Sequence, residues 1–134
     1  MAVVSNYKIN AALSQRLQAM GESTAYENAP HTPTDGTLYL EENFLPVTSD
    51  NIGLANDSSV DHSGIYQVTV HAPSDAYKAV GFQKADAVAA QFARGTTMTY
   101  DGVTVRSEDV RQSPALQNGN RWSIPISIEY RAFN

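Results

Sequence analysis

Thr97-Met98-Thr99-Tyr100-Asp101-Gly102-Val103-Thr104-Val105-Arg106 reads outward from its centre. Asp-Gly is the pair that a two-residue type I′ turn selects, because both central residues of that turn need positive φ. The flanks alternate apolar and polar residues, so the turn sets the register: Tyr100 opposes Val103 and Met98 opposes Val105. All four then point to one face. A lone hairpin cannot bury such a face in water, so the rest of the chain must supply more strands and a cover.

On the C-terminal side, Ser107 to Leu116 reads as irregular and Asn118-Gly119 as another turn. Trp122 to Ala132 then alternates throughout, with Trp122, Ile124, Ile126, Ile128, Tyr130 and Ala132 toward the core. Pro125 falls on the opposite face and lacks a backbone donor. This strand is therefore expected at a sheet edge, or with one side unpaired at that point. On the N-terminal side, Ser74 or Asp75 can cap a helix running to Arg94, with Gly95 as its stop. Its inward stripe is Tyr77, Gly81, Ala85, Val88, Ala89 and Phe92, mostly small, which lets the helix lie close to a sheet. Gly64 to His71 reads as a central strand, with Tyr66, Val68 and Val70 on one face and Gln67, Thr69 and His71 on the other; Pro73 ends it.

The first half is less regular. Ser5 or Asn6 caps a helix over residues 6–20, with Ile9, Leu13, Leu17 and Met20 at helical spacing before Gly21. A short strand at Thr24–Glu27 precedes a turn-rich stretch, 28–36, containing Pro30, Pro33 and Asp35-Gly36. Thr37–Glu41 reads as a strand entering Phe44-Leu45-Pro46. Residues 46–63 read as a long polar loop bearing Asp50, Asp57 and Asp61 and no Lys or Arg. The string is α-β-β-loop-β-α-β-β-β. It implies one α+β domain over residues 1–134, with two helices on one face of a mostly antiparallel sheet of about five to six strands.

Composition narrows the function classes. In 134 residues, 42% are hydrophobic and 17% charged, an ordinary globular balance. The absence of cysteine excludes a disulfide framework, a thiolate zinc site and a cysteine nucleophile. The net charge of −5 is unevenly spread. Residues 1–75 hold two basic and nine acidic side chains, a balance of −7, and residues 76–134 hold seven basic and five acidic, a balance of +2. An acidic chain is a poor binder of phosphate backbones, which need clustered Lys and Arg. The start lacks a basic leader and no run is long enough to span a membrane, so a soluble protein made in a cytoplasm is expected.

Nothing in the pattern calls for catalysis. His31, His62 and His71 are scattered and read as surface residues, without metal-ligand spacing. Asp61-His62-Ser63 has triad residue types, yet a triad converges from separate segments. The acidic loop lacks the pattern of a calcium loop, oxygen ligands at alternating positions around a Gly and a closing Glu, and there is no glycine-rich phosphate loop. Glu41-Glu42 and Glu108-Asp109 are neighbours on strands and point to opposite faces. No catalytic residue, metal or cofactor is expected; a small hydrolase using Asp61 or His62 is the enzymatic alternative.

Several segments taken in order carry more information. Ala25-Tyr26-Glu27-Asn28, Thr32-Pro33-Thr34-Asp35-Gly36-Thr37-Leu38-Tyr39-Leu40 and Leu45-Pro46 resemble the opening signature of the tail-terminator-like minor tail proteins of long-tailed bacteriophages. The resemblance continues through Gly64–Val70, Ala85-Asp86-Ala87-Val88 with Phe92, Gly95-Thr96, Gly102–Val105 and the Ile-Pro-Ile-Ser-Ile-Glu-Tyr strand at 124–130. One departure is Ser74-Asp75-Ala76-Tyr77, where that family usually has glycine. The resemblance implies a structural virion protein of the tail and neck, made in the host cytoplasm during assembly. It implies a homo-hexameric ring that caps the tail tube, stops its polymerisation and offers a surface to the head-completion or neck protein, while DNA passes through the lumen unbound. A neck connector or a tail-tube subunit is the alternative within virion proteins. Two surface expectations accompany it. Arg94, Arg106, Arg111 and Arg121 would meet acidic surfaces of an adjacent subunit or ring, and Asp50, Asp57 and Asp61 would face the lumen or a neighbour.

Overall fold

A computed structural model describes residues 5–26, 38–51, 60–73, 78–118 and 121–133. In chain order the elements are α1 (Asn6–Gln18), β1 (Thr24–Ala25), β2 (Tyr39–Asn51), β3 (Val60–Pro73), α2 (Lys78–Gln91), β4 (Thr97–Tyr100), β5 (Val103–Gln112), β6 (Leu116–Asn118) and β7 (Arg121–Phe133). The strands form one sheet in the order β1-β2-β3-β7-β5-β4, with β6 beside β7. Among the described residues every pairing is antiparallel except β1 with β2, so the sheet is mixed, and it has seven strands there where about five to six were expected.

The hairpin register is as the turn requires, with Met98 opposite Val105 and Tyr100 opposite Val103. Asp101 and Gly102 both take positive φ, 49° and 83°. Ser5 caps α1 by accepting the Lys8 amide at 3.3 Å. The helical stripe at Ile9, Ala12, Leu13 and Leu17 is buried. On α2, Gly81, Ala85, Val88 and Phe92 face inward and Ala89 is half-buried; Tyr77 and the Ser74/Asp75 cap lie outside the described residues. Gly81 allows the close approach: a Cβ there would stand 3.2 Å from Ile124 Cδ1. Both helices pack on the face carrying Leu40, Tyr66, Val68, Val70, Ile124, Ile126 and Ile128. Their C-terminal ends are tied reciprocally, Arg16 Nε donating to the Gln91 carbonyl at 2.9 Å and Gln91 Nε2 to the Arg16 carbonyl at 2.8 Å.

Two expectations change, and one that left two alternatives open is resolved. The stretch 46–63 is not one long loop: β2 and β3 pair on through Thr48↔Ser63, Ser49↔His62, Asp50↔Asp61 and Asn51↔Val60, past a register shift between Pro46 and Thr48. Residues 52–59, Asp57 included, lie outside the described residues. The ladder there rests on backbone hydrogen bonds, and a ladder between two polar strands imposes no hydrophobic alternation that a sequence could display. The same holds after Ser107, where β5 runs on to Gln112 across a bulge between Ser107 and Asp109. β7 is a central strand, flanked by β3 on one side and by β5 and β6 on the other. Pro125 is tolerated because one side is locally unpaired. Its carbonyl accepts the Ser113 amide at 2.8 Å, so its missing N–H faces the gap where β5 has ended and β6 has not begun.

Candidate functional site

With both helices on one face, the opposite face of β2, β3, β7 and β5 is where side chains can meet a partner. It divides into a closed half and an open half.

The closed half is built on one register row, Tyr39↔His71↔Ser123, with Glu41 one step along β2. His71, expected at the surface, is only 8% exposed. Its Nδ1 lies 2.8 Å from Ser123 Oγ and its Nε2 3.1 Å from Glu41 Oε1. An ionised carboxylate only accepts, so Nε2 carries a proton for Glu41, and in the neutral ring Nδ1 accepts from the Ser123 hydroxyl. Tyr39 stacks on the imidazole with centroids 4.7 Å apart, and the Arg121 guanidinium lies 5.0 Å from the centre of the Tyr39 ring. The serine, histidine and carboxylate types of a hydrolytic triad are present. Ser123 is buried among three paired strands, however, so the cluster works as a polar clamp across β2, β3 and β7.

The open half carries charge in rows across the sheet. Arg131 of β7 and Arg106 of β5 are register partners, beside Ser63 of β3. The next row holds Ile65, Glu129 and Asp109, and the one after it Gln67, Ser127 and Arg111. The bulge in β5 breaks strict alternation, so that Glu108 and Asp109 both serve this face. Glu108 lines a cleft of about 480 Å³ with Arg106, Glu129 and Arg131, while Asp109 stands opposite Glu129. This corrects the expectation that the two carboxylates point apart. Arg106 pairs with Glu108 at 2.7 Å, and Arg111 with Asp109 at 2.8 Å and Glu129 at 3.9 Å. The hydrogen bond from Arg111 to Asp109 holds its guanidinium above the usual range.

Of the four arginines expected at an interface, Arg106 and Arg111 therefore share one open face. Arg94 is exposed in the turn after α2, and Arg121 is 7% exposed at the closed end of the sheet. Of the three aspartates, Asp50 and Asp61 are register partners and Asp57 lies outside the described residues.

Glu41 and Glu42 do point apart, and Glu42 takes a place that the sequence did not suggest. It is 4% exposed on the helix-covered face, where it accepts from Ser14 Oγ of α1 at 2.8 Å and from the Tyr66 hydroxyl. Burial, then the nearby Glu42 carboxylate, pushes the Tyr66 phenol well above its ordinary range. Tyr130, stacked on Phe44 with centroids 5.7 Å apart, is pushed up to about 12 by burial. Among the described residues no group of His, Asp and Glu is arranged to hold a metal ion, and no helix is long and apolar enough to cross a membrane.

The described residues thus form a mixed sheet with two helices on one face and rows of charge on the other. Residues 8–130 match the family described as phage tail terminator protein, and the chain belongs to that family, which is structural rather than enzymatic. A comparison with curated proteins finds no match. Among solved structures, one without a functional description is similar at 23% identity and a TM-score of 0.79, covering 97% of this chain and 96% of that one. A chain from the virion of a native gene transfer agent particle is similar at 16% identity and a TM-score of 0.63, covering 99% of this chain and 100% of that one. At these identities the two structures share the fold. The chain is thus a phage tail structural protein of the virion.

Proposed function

We propose that this chain forms a ring that caps the finished tail tube, halts its polymerisation and presents the surface to which the head or neck attaches. The observation that carries the reading is family membership over residues 8–130. The ring is a homo-hexamer. One face copies the tube's polymerisation contact, and the other offers the next tube subunit nothing to pair with. Its partners are the tail-tube protein on one side and the head-completion or neck protein on the other, met in the host cytoplasm during assembly. DNA crosses the lumen without specific binding, and an acidic lining would keep it from sticking.

Within the ring, Arg94, Arg106 and Arg111 meet acidic surfaces of a neighbouring subunit or ring. Arg121, buried beside Tyr39, acts from inside the fold. Asp50 and Asp61, register partners on β2 and β3, and Asp57, between them in sequence, face the lumen or a neighbour. Deleting residues 50–61 should leave a folded monomer, because the ladder from Tyr39↔His71 to Pro46↔Gly64 stays intact, while tail completion is lost. Electron microscopy of particles made without the protein tests the whole reading. Overlong, headless tails are expected. Filled heads with empty necks would assign the chain to a neck connector instead, and long tubes made by the purified protein would assign it to the tube.

A further inference from the structure

Two tyrosines far apart in sequence are held side by side where the first turn of α1 meets the β4–β5 hairpin. Tyr7 is the second residue of α1 and Tyr100 the last of β4. Their hydroxyl oxygens stand 3.3 Å apart, and the rings meet edge to face, with centroids at 6.0 Å and planes at 78°. The residues next in sequence add a second tie, Lys8 Nζ lying 3.2 Å from Asp101 Oδ2. Asp101 is itself fixed in the turn, at a φ of 49°. Helix and hairpin are thus joined at two consecutive residues, and the fold places the two rings against each other.

Core packing does not account for this pair. Tyr7 is 72% exposed, so its ring takes little apolar surface out of water. What the contact presents is chemistry. The unpaired electron of a tyrosyl radical resides largely on the oxygen and on the ring carbons ortho to it, and with the two hydroxyls in contact those carbons flank the meeting point. The hydrogen bond with Tyr7 holds the Tyr100 phenol above its ordinary range, so it enters a reaction in neutral solution with its proton in place. Other tyrosines are less open to coupling: Tyr66 and Tyr130 are buried, and Tyr39 is stacked on His71.

We propose that Tyr7 and Tyr100 are a dityrosine site, where a peroxide-driven one-electron oxidant of the haem peroxidase class joins α1 covalently to the β4–β5 hairpin. Each phenol loses one electron and one proton, and the two radicals combine through a carbon ortho to each hydroxyl. As the rings regain aromaticity, the hydrogen on each joined carbon passes to the phenol oxygen. In balance, one C–C bond forms and two ring C–H bonds break, while the two electrons and two protons released reduce one hydrogen peroxide to two waters. The rings are already in contact, so coupling within the chain outruns coupling between chains, which waits on a collision. The cross-link closes the chain between residues 7 and 100 and restricts the unfolded state, as a disulfide of long span does. The inference is independent of the ring reading, since it concerns the durability of one subunit and not its partners.

Dilute full-length chain treated with hydrogen peroxide and a haem peroxidase should develop dityrosine fluorescence in a species that runs as a monomer on a denaturing gel and is lighter by two hydrogens. Proteolysis and mass spectrometry should find the peptide holding Tyr7 joined to the peptide holding Tyr100. The cross-linked monomer should unfold at least about 5 °C above the untreated chain. Tyr7→Phe and Tyr100→Phe keep the rings and remove only the reacting hydroxyls, and each should cut the monomer fluorescence at least fivefold. Tyr39→Phe should leave it within about twofold of wild type. Circular dichroism confirms that the variants fold. The proposal is overturned if no dityrosine forms where free tyrosine couples under the same conditions, if the fluorescence appears only in cross-linked dimers, if the monomer cross-link joins other tyrosines, or if either of the first two variants couples as wild type does. None of these results touches the ring reading, which tail length in the microscope decides separately.

Discussion

Removing the hydroxyl of Tyr66 isolates the energetics of the buried carboxylate beneath α1. Glu42 is 4% exposed and has two protein donors, Ser14 Oγ and the Tyr66 hydroxyl. Tyr66→Phe leaves the ring packed against Phe92, 5.7 Å away between centroids, so no cavity opens and the loss is confined to one charge-assisted hydrogen bond. Bonds of that type contribute about 1.5–3 kcal/mol, and here the carboxylate is left under-solvated in the core, so the expected cost is about 2–3 kcal/mol. For a chain of this size that lowers Tm by roughly 6–12 °C. The double variant Tyr66→Phe/Glu42→Leu removes both sides of the interaction and puts an apolar group where the carboxylate was. Replacing both partners of a buried hydrogen bond by apolar groups is nearly neutral, so the double variant should recover at least half of the single variant's loss. Urea denaturation, with Cm and m measured for the wild type, both singles and the double, reads the coupling directly. A Tyr66→Phe loss below about 0.5 kcal/mol, or a double variant no more stable than the sum of its singles, would refute the reasoning.

Gly64→Ala should destabilise by about 2–4 kcal/mol, since the new Cβ would stand 2.6 Å from the Tyr130 hydroxyl and 2.7 Å from the Leu45 carbonyl. Thermal unfolding measures this loss, and Tyr130→Phe in the same chain should recover only part of it, because the backbone clash remains. Pro125→Thr should change stability by no more than about 1 kcal/mol in urea, as the restored N–H faces the gap between β5 and β6 and completes no ladder bond. The pH dependence follows from Tyr130, whose phenol is held up at about 12 in the fold against about 10 in an unfolded chain. The folded state binds this proton more tightly, so its contribution is fully present below pH 10 and is lost as pH climbs toward 12. Tyr130→Phe should remove its own share of that alkaline loss, leaving the share of Tyr66, in denaturation curves taken from pH 9 to 12. A titration of phenolate absorbance should show Tyr66 and Tyr130 ionising after the exposed tyrosines of the native chain.

What the sequence exposed was the structure whose cause is local. The β4–β5 turn follows from two residues that accept positive φ, α1 from a cap and a four-residue apolar stripe, and the inward face of β7 from alternation over its whole length. Pro125 gave a correct constraint with two solutions, an edge strand or a local gap, and the choice lay with where β5 stops relative to β6. The polar arm at Thr48–Asn51 and Val60–Ser63 was unreadable, because its pairing is backbone to backbone and carries no pattern of side chains. The site was less legible than the fold. Alternation placed His71 and Ser123 on polar faces of their own strands, but only the β3–β7 register sets one opposite the other. Nothing local distinguished Glu42, which is buried, from Glu41, which is half-exposed.

By itself, then, the sequence determined the helices, the apolar-alternating strands and their inward faces, the absence of thiol chemistry and, through its ordered motifs, the tail terminator family. Tertiary structure decided which polar residues meet. It buried Glu42 under α1, closed the polar clamp around His71, and through the β5 bulge and the β3–β7–β5 register arranged scattered charges into alternating rows. The reason is physical. Turns, caps and stripes are specified by neighbours along the chain, whereas the register of one strand against another distant in sequence is set by packing over the whole sheet.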